Sequence, residues 1–421
     1  MGLVKIFSIS LFSEAFVLLA GFVNSIVITR NLDLAGRGEY ALTMNVVLIL
    51  SLIFGDSLYR SNTYLISKNR KDLSRLISNG MVAILFLGFL LFSIFCLSGQ
   101  DVFQQILPGV HLQLVFIAFL SLIPLIFIRC LNGLFLGMQK YYVFNFLVVA
   151  PLCLYCLLNV GLSFWGGFSP EKVMRNYLIA MVFFMVIAFI ILVRTESFHF
   201  ELNWHVAKQS MQTGIKSGIS TVTLFLLFRV DIFFVNYFLG TDQAGLYSIA
   251  ALVAELLQKF ANTSGTIIFP QIAGESRPLR GYRLSVRVVL FVAVVGVIFA
   301  LVVLVFGERL IVFLFQKAYA PAIIPLYYLL PGTVVMAVGK IIIFSLWGKG
   351  FPKVTIWVPL CAFILNVVLN LVLIPRLGIM GAALSTSISY LVFGISLILY
   401  FFVHPQLKMD HENESKIDVP I

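Results

Sequence analysis

Twelve apolar runs divide this chain, and about 20 mostly apolar residues suffice to carry a helix across the hydrocarbon core of a bilayer. They read at about 9–29, 40–66, 76–98, 110–136, 142–163 and 174–194, then at about 214–239, 246–272, 284–306, 320–347, 354–374 and 380–403. Inside hydrocarbon each backbone N–H and C=O must be satisfied within its own segment, so runs of this length are expected as helices. Of the 421 residues, 61% are hydrophobic and 11% charged, whereas soluble domains carry about 25% charged residues. The expected fold is an all-α integral membrane protein of about 12 transmembrane helices, with no room for a soluble catalytic domain.

The net charge of +11 could suggest nucleic acid, but the basic residues gather in short loops beside helix ends, as membrane topology requires. With the N-terminus inside, 17 Lys and Arg fall on the cytoplasmic side and 7 on the other. That asymmetry favours an N-in, C-in arrangement, with nucleic acid not expected as a partner. Lys5 followed by a long apolar run without a small-residue cleavage site reads as a first membrane helix rather than a removed signal.

The longest polar interruption, 195–213, separates six runs from six. The expected organisation is an N-terminal lobe at 1–194, a cytoplasmic amphipathic linker at 195–213, a C-terminal lobe at 214–405 and a polar tail at 406–421. The halves also echo each other. An offset of 207 superposes Gly38, Tyr40, Val46 and Leu50 on Gly245, Tyr247, Val253 and Leu257, and an offset of 213 pairs Gly137 and Lys140 with Gly350 and Lys353. Six-span units repeat in parallel about an axis along the membrane normal, and a substrate site is expected near the midplane.

Away from their ends the apolar runs hold nine charges: Arg60, Arg129, Arg229, Lys259 and Lys340 against Glu14, Asp56, Asp231 and Glu255. A charge at the centre of a membrane helix costs about 2.5–3.5 kcal/mol on insertion scales, so such groups face a protein interior or wet cavity. Asp56 with Arg60 and Glu255 with Lys259 are spaced i, i+4 with the acid first, which predicts two local ion pairs. Arg129 and Lys340 have no acid nearby on their own helices and occupy near-equivalent places in the two halves, so each is expected to be an uncompensated cation.

Three segments carry a resemblance. GTDQAGLYSIAALVAE from Gly240 to Glu255, LDLAGRGEYAL from Leu32 to Leu42 and NVVLNLVLIPRLGIMGAALSTSISY from Asn366 to Tyr390 resemble Wzx-type O-antigen flippases. These form part of the polysaccharide-transport branch of the multidrug/oligosaccharidyl-lipid/polysaccharide superfamily. The resemblance implies a two-lobed transporter of a bacterial inner membrane that moves an undecaprenyl-diphosphate-linked oligosaccharide from the cytoplasmic to the periplasmic leaflet. It also implies a polymerase and a chain-length regulator as pathway partners. The chain departs from the lipid II flippase branch, because nothing basic lies between Lys5 and Arg30 and Glu14 is the sole charge of the first run.

Arginine offers a planar fork of donors that matches phosphate, and lysine adds a compact charge. Arg229, Arg129, Lys340, Lys259 and Arg60 are therefore the expected diphosphate-binding residues. Asp231, Glu255, Glu14 and Asp56 are the candidates for carrying a coupled proton or sodium. Asn24, Asn62, Asn366 and Asn370 are among the amides at membrane depth that could meet sugar hydroxyls, each more simply read as an interhelical hydrogen bond. No catalytic constellation, cofactor motif or metal site is legible: the five histidines sit in loops or the tail, and the five cysteines lie in apolar runs. The competing readings are a cation-coupled multidrug antiporter of the same superfamily, which would want unpaired acids, and a non-transporting scaffold of a polysaccharide assembly complex.

Overall fold

The computed structural model describes residues 3–196, 198–273, 278–348 and 352–403, and every secondary-structure element among them is helical. The expected tail at 406–421 lies outside the described residues. Thirteen α-helices follow one another: α1 (Leu3–Asn31), α2 (Leu34–Ser51), α3 (Ser57–Lys68), α4 (Leu73–Ile106), α5 (Leu112–Gly137), α6 (Tyr141–Trp165) and α7 (Pro170–Thr195). Then come α8 (Trp204–Leu239), α9 (Thr241–Ala273), α10 (Pro278–Phe315), α11 (Ile323–Gly348), α12 (Val354–Leu377) and α13 (Ile379–Val403). Among the described residues twelve spans are long and apolar enough to cross a membrane, because α2 and α3 share one span around a π-helical turn at Leu52–Asp56. Local chemistry sets several ends. Asp33 caps α2 by accepting the Gly36 N–H at 2.9 Å, and Ser169 caps α7 with Pro170 at its first position, where a missing N–H costs nothing.

The chain forms two compact units, one of Met1–Phe225 with Leu239–Gly245 and one of Leu226–Phe238 with Leu246–Ile421. In the first, α5 is the central helix and packs on α3, α4 and α7. Its Leu114, Ala118, Leu122 and Ile126 are fully buried at 0% exposure, and their i, i+4 spacing makes one continuous stripe. Gly133 and Gly137 let α5 ride directly on α3: a methyl at either would strike the backbone of Tyr59 or Thr63. In the second unit α13 packs against α11 and α12. Outward faces are apolar too, with Leu85, Phe86 and Phe89 on α4 and Leu290, Phe291 and Val294 on α10 all exposed. Water would penalise such surfaces, whereas lipid tails accept them.

The stretch expected as an amphipathic linker is half helix. Helix α7 ends at Thr195, and α8 already starts at Trp204. The break is pinned along the first turns of α4. The backbone N–H of His199 donates to Ser74 Oγ at 3.3 Å, that of Glu201 to Ser78 Oγ at 3.0 Å and that of Asn203 to Asn79 Oδ1 at 3.3 Å. Arg75 pairs with Glu201 at 2.7 Å, while Glu196 takes Lys140 at 2.6 Å and Arg70 at 3.1 Å.

Candidate functional site

In the first unit the tight α3–α5 seam delivers Arg129 to the π-helical turn. Gly55, just before Asp56, leaves the room that the Arg129 stem occupies. Arg129 Nη1 donates to Asp56 Oδ1 at 2.5 Å, and Arg60 Nη2 lies 3.6 Å from Asp56 Oδ2. The local Asp56–Arg60 pair is therefore present, but the expectation that Arg129 lacks a partner is overturned. Its partner comes from another helix, 73 residues away in sequence, where same-helix spacing has no reach. The three side chains stay partly open, at 40% exposure for Arg60, 29% for Arg129 and 18% for Asp56.

Deeper in the same unit runs a neutral polar ladder. Asn159 Nδ2 donates to Asn24 at 3.0 Å, Asn176 donates to Asn159 at 3.0 Å, and the hydroxyls of Tyr40 and Tyr155 meet at 3.0 Å. Glu14 stands exposed on α1, away from this ladder and without an ion pair among the described residues.

The second unit holds the other five charges. Arg229 Nη2 donates to Glu255 Oε2 at 2.7 Å. The expected Glu255–Lys259 pair is not formed within 4 Å among the described residues, because Glu255 turns to the guanidinium of α8 instead. Lys340 is buried, and its ammonium lies 4.1 Å from the centre of the Phe228 ring, with no hydrogen bond or ion pair to a described residue. Phe228 in turn meets the edge of Tyr390 at 5.4 Å. Lys340 thus matches the expectation of an uncompensated cation, and the supposed symmetry with Arg129 fails, since one is paired and half open while the other is sealed.

Asp231 follows Arg229 by two residues, about 200° around a helix, so the two side chains part. Asp231 is buried, accepting Tyr247 Oη–H at 2.5 Å, Thr386 Oγ1–H at 3.0 Å and the Ile232 N–H at 2.9 Å. Asn366 Nδ2 donates to Thr386 at 3.2 Å, and Asn370 Nδ2 donates to Asn366 at 2.9 Å. Asn370 Oδ1 is buried without a hydrogen-bond partner. This oxygen-rich ladder suits a small hard cation or a proton. Sequence reasoning singled out Asp231, Asn366 and Asn370 but missed Tyr247 and Thr386 as their partners, since nothing in a hydroxyl's local sequence points to an acid on another helix. It also missed Glu39, which holds the His111 ring Nδ1 at 2.6 Å and its backbone N–H at 3.1 Å. Those hydrogen bonds and the Glu39 charge raise the His111 imidazole above the ordinary histidine range.

What the arrangement can do is hold an anion. Asp56 faces two arginine side chains and Glu255 faces one, and arginine forks bind phosphate with two parallel hydrogen bonds.

Comparison with known proteins agrees on the fold. An inward-facing multidrug resistance MATE family transporter of the MOP superfamily superposes with TM-score 0.78 at 13% identity over 96% of both chains. The lipid II flippase MurJ in an inward closed conformation gives TM-score 0.78 at 12% identity, covering 96% of this chain and 88% of that one. A MOP superfamily transporter of Pyrococcus furiosus, described as having a binding pocket of reverse polarity, gives TM-score 0.65 at 14% identity over 95% and 96%. Among curated sequences, an uncharacterized membrane protein of Methanocaldococcus jannaschii is 24% identical over 197 residues, 46% of each chain. The probable low-salt glycan biosynthesis flippase Agl15 of Haloferax volcanii is 24% identical over 181 residues, 42% of this chain and 38% of that one. The chain thus spans less than half the length of the curated relatives it matches. Residues 3–274, well over half of the 421, match the family described as polysaccharide biosynthesis protein, and the chain belongs to that family.

Proposed function

We propose that this protein is a flippase, carrying an undecaprenyl-diphosphate-linked oligosaccharide such as an O-antigen repeat unit from the cytoplasmic to the outer leaflet of a bacterial inner membrane. The observation that supports the reading is the set of cations at membrane depth in the second unit: Arg229, paired with Glu255 at 2.7 Å, and Lys340, buried against Phe228 with no ion pair to a described residue. A diphosphate headgroup cannot enter hydrocarbon bare, and cations exceeding their local acids give it somewhere to shelter. Arg60 and Arg129 offer a second, more open station. Transport proceeds by alternating exposure of the substrate to the two leaflets, with the N-terminus inside.

Asp231 is the seat of the coupling ion in this reading. It is buried, has no cation within 4 Å among the described residues, and is ringed by hydroxyl and amide groups that can share a proton or replace the water around a sodium. Asp56 and Glu255 already face guanidinium groups, so they compensate charge rather than carry it. A polymerase and a chain-length regulator of the same glycan pathway are the partners such an activity implies. The test is genetic. In a strain whose surface polysaccharide depends on this chain, Arg229→Ala should abolish the polysaccharide while the protein stays in the membrane, and Arg376→Ala should not. Normal polysaccharide in the Arg229→Ala strain would remove Arg229 from the site.

A further inference from the structure

The Asp56 cluster has a geometry that substrate binding alone does not require. One carboxylate spends its two oxygens on guanidinium groups from two different helices, Oδ1 on Arg129 of α5 and Oδ2 on Arg60 of α3. Guanidinium groups bind carboxylate and phosphate oxygens alike, so the two arginines that face Asp56 could equally face a phosphate. We propose that Asp56 is a built-in counter-anion, a positioning residue that occupies Arg129 and Arg60 in the empty protein and yields them to a phosphate of the substrate. The inference rests on the flippase reading and adds how the site lets its cargo go.

Two needs conflict in any carrier of an anionic headgroup. The cations must attract the diphosphate, yet bare cations in a low-dielectric interior are costly when the site is empty, and a site that binds too well does not release. A tethered carboxylate answers both. It neutralises part of the cluster after release, and during binding it competes at the high effective concentration of a group fixed in place. The partial exposure of Arg60, Arg129 and Asp56 leaves all three within reach of a ligand.

The backbone gives Asp56 a means to move aside. It closes the π-helical turn Leu52–Asp56 between two regular helices, and such a turn holds one residue more than an α-helical turn. A local change in this turn could shift Asp56 off Arg129 while α3 stays seated on Gly133 and Gly137 of α5. The second unit repeats the chemical motif: Glu255 gives Oε2 to Arg229 and keeps Oε1 without a hydrogen-bond partner.

The test is equilibrium binding of inorganic pyrophosphate to the purified full-length chain, with thermal melting as the control for folding. Asp56→Asn should bind pyrophosphate roughly five- to tenfold more tightly than wild type, the gain expected from deleting one partly exposed competing ion pair, while its flipping rate falls. Asp56→Glu should restore weak binding, and Asp56→Ser serves as a second neutral variant should Asn not fold. If wild type binds pyrophosphate and loses it with Arg129→Gln, but the neutral Asp56 variants bind equally or more weakly, Asp56 is only a scaffold and the inference fails alone. If neither wild type nor the neutral variants bind pyrophosphate, the anion site fails and takes the flippase reading with it.

Discussion

Tyr247 of α9 donates its hydroxyl to the carboxylate of Asp231 on α8 across 2.5 Å, with both side chains buried. The carboxylate is thereby fixed by uncharged donors, and the arginine two residues earlier is left for Glu255. Arg229 and Asp231 thus lie on different faces of one helix, and in the proposed reading the first serves the anion and the second the coupling ion. Asp231→Asn keeps the shape and removes the charge. It should lower flipping by at least about tenfold, the effect of removing a 1.4 kcal/mol coupling, while pyrophosphate binding changes less than twofold. Equal losses in both measurements would show that the faces are not separate.

Tyr247→Phe probes the same ladder through stability. It takes one donor from a buried carboxylate, at an expected cost of about 1–3 kcal/mol, so the melting temperature in detergent should drop. Thr386→Val should do likewise. The double variant should cost less than the sum, because the two hydroxyls share one Asp231 oxygen and groups on one acceptor are coupled.

Lys340 is buried against Phe228 with no ion pair to a described residue, and in the proposed reading its charge serves the substrate. Lys340→Met keeps most of the volume and removes the charge. Melting should be unchanged or higher, since burying an unpaired cation is costly, and pyrophosphate should bind at least about tenfold more weakly. A large fall in stability with unchanged binding would make Lys340 structural.

Gly38 and Gly245, the pair equated by the 207-residue offset, lie against each other's helix ends. A methyl on Gly38 would meet the carbonyl of Thr241, and one on Gly245 the carbonyl of Leu34. Gly38→Val should destabilise the protein by about 1–3 kcal/mol or more through overpacking, whereas Gly161→Ala, which has nothing within 4 Å, should leave melting unchanged.

The pinned segment 196–203 gives a pH prediction. Partial burial pushes the Glu196 carboxyl up, but the hydrogen bonds and charges of Lys140 and Arg70 more than offset this and hold it below its ordinary value. A carboxylate lowered in the folded state contributes stability that is present above its unfolded pKa and lost as pH falls through the folded one. Protease cleavage of the segment should therefore rise on acidification below the usual carboxylate range. Glu196→Gln should raise cleavage at neutral pH and flatten the dependence.

The spans were legible because a bilayer imposes a length, and runs such as 112–137 or 379–403 can be nothing else. Helix ends beyond the hydrocarbon were not. Hydropathy overlooks the polar turns of α8 from Trp204 and of α4 as far as Ile106, since helicity there owes nothing to apolar content. The charges themselves stood out, and so did the Asp56–Arg60 pair, which obeys a same-helix spacing. Arg229 with Glu255, 26 residues apart, and Asp231 with Thr386, 155 apart, depend on how helices pack. Packing hangs on shape: the glycines of α5 and the π-helical turn bring Arg129 to Asp56, and neither announces its partner in sequence.

The central claim is that these cations carry a diphosphate-linked glycan across the membrane. It is tested most directly in proteoliposomes containing the full-length chain and an undecaprenyl-diphosphate-linked oligosaccharide, by following the fraction of glycan accessible to an impermeant glycan-cleaving enzyme. Wild type should expose glycan from the inner leaflet well above the rate of empty vesicles, and Arg229→Ala should match the empty vesicles. Transfer by wild type at the empty-vesicle rate, or undiminished transfer by Arg229→Ala, would contradict the account.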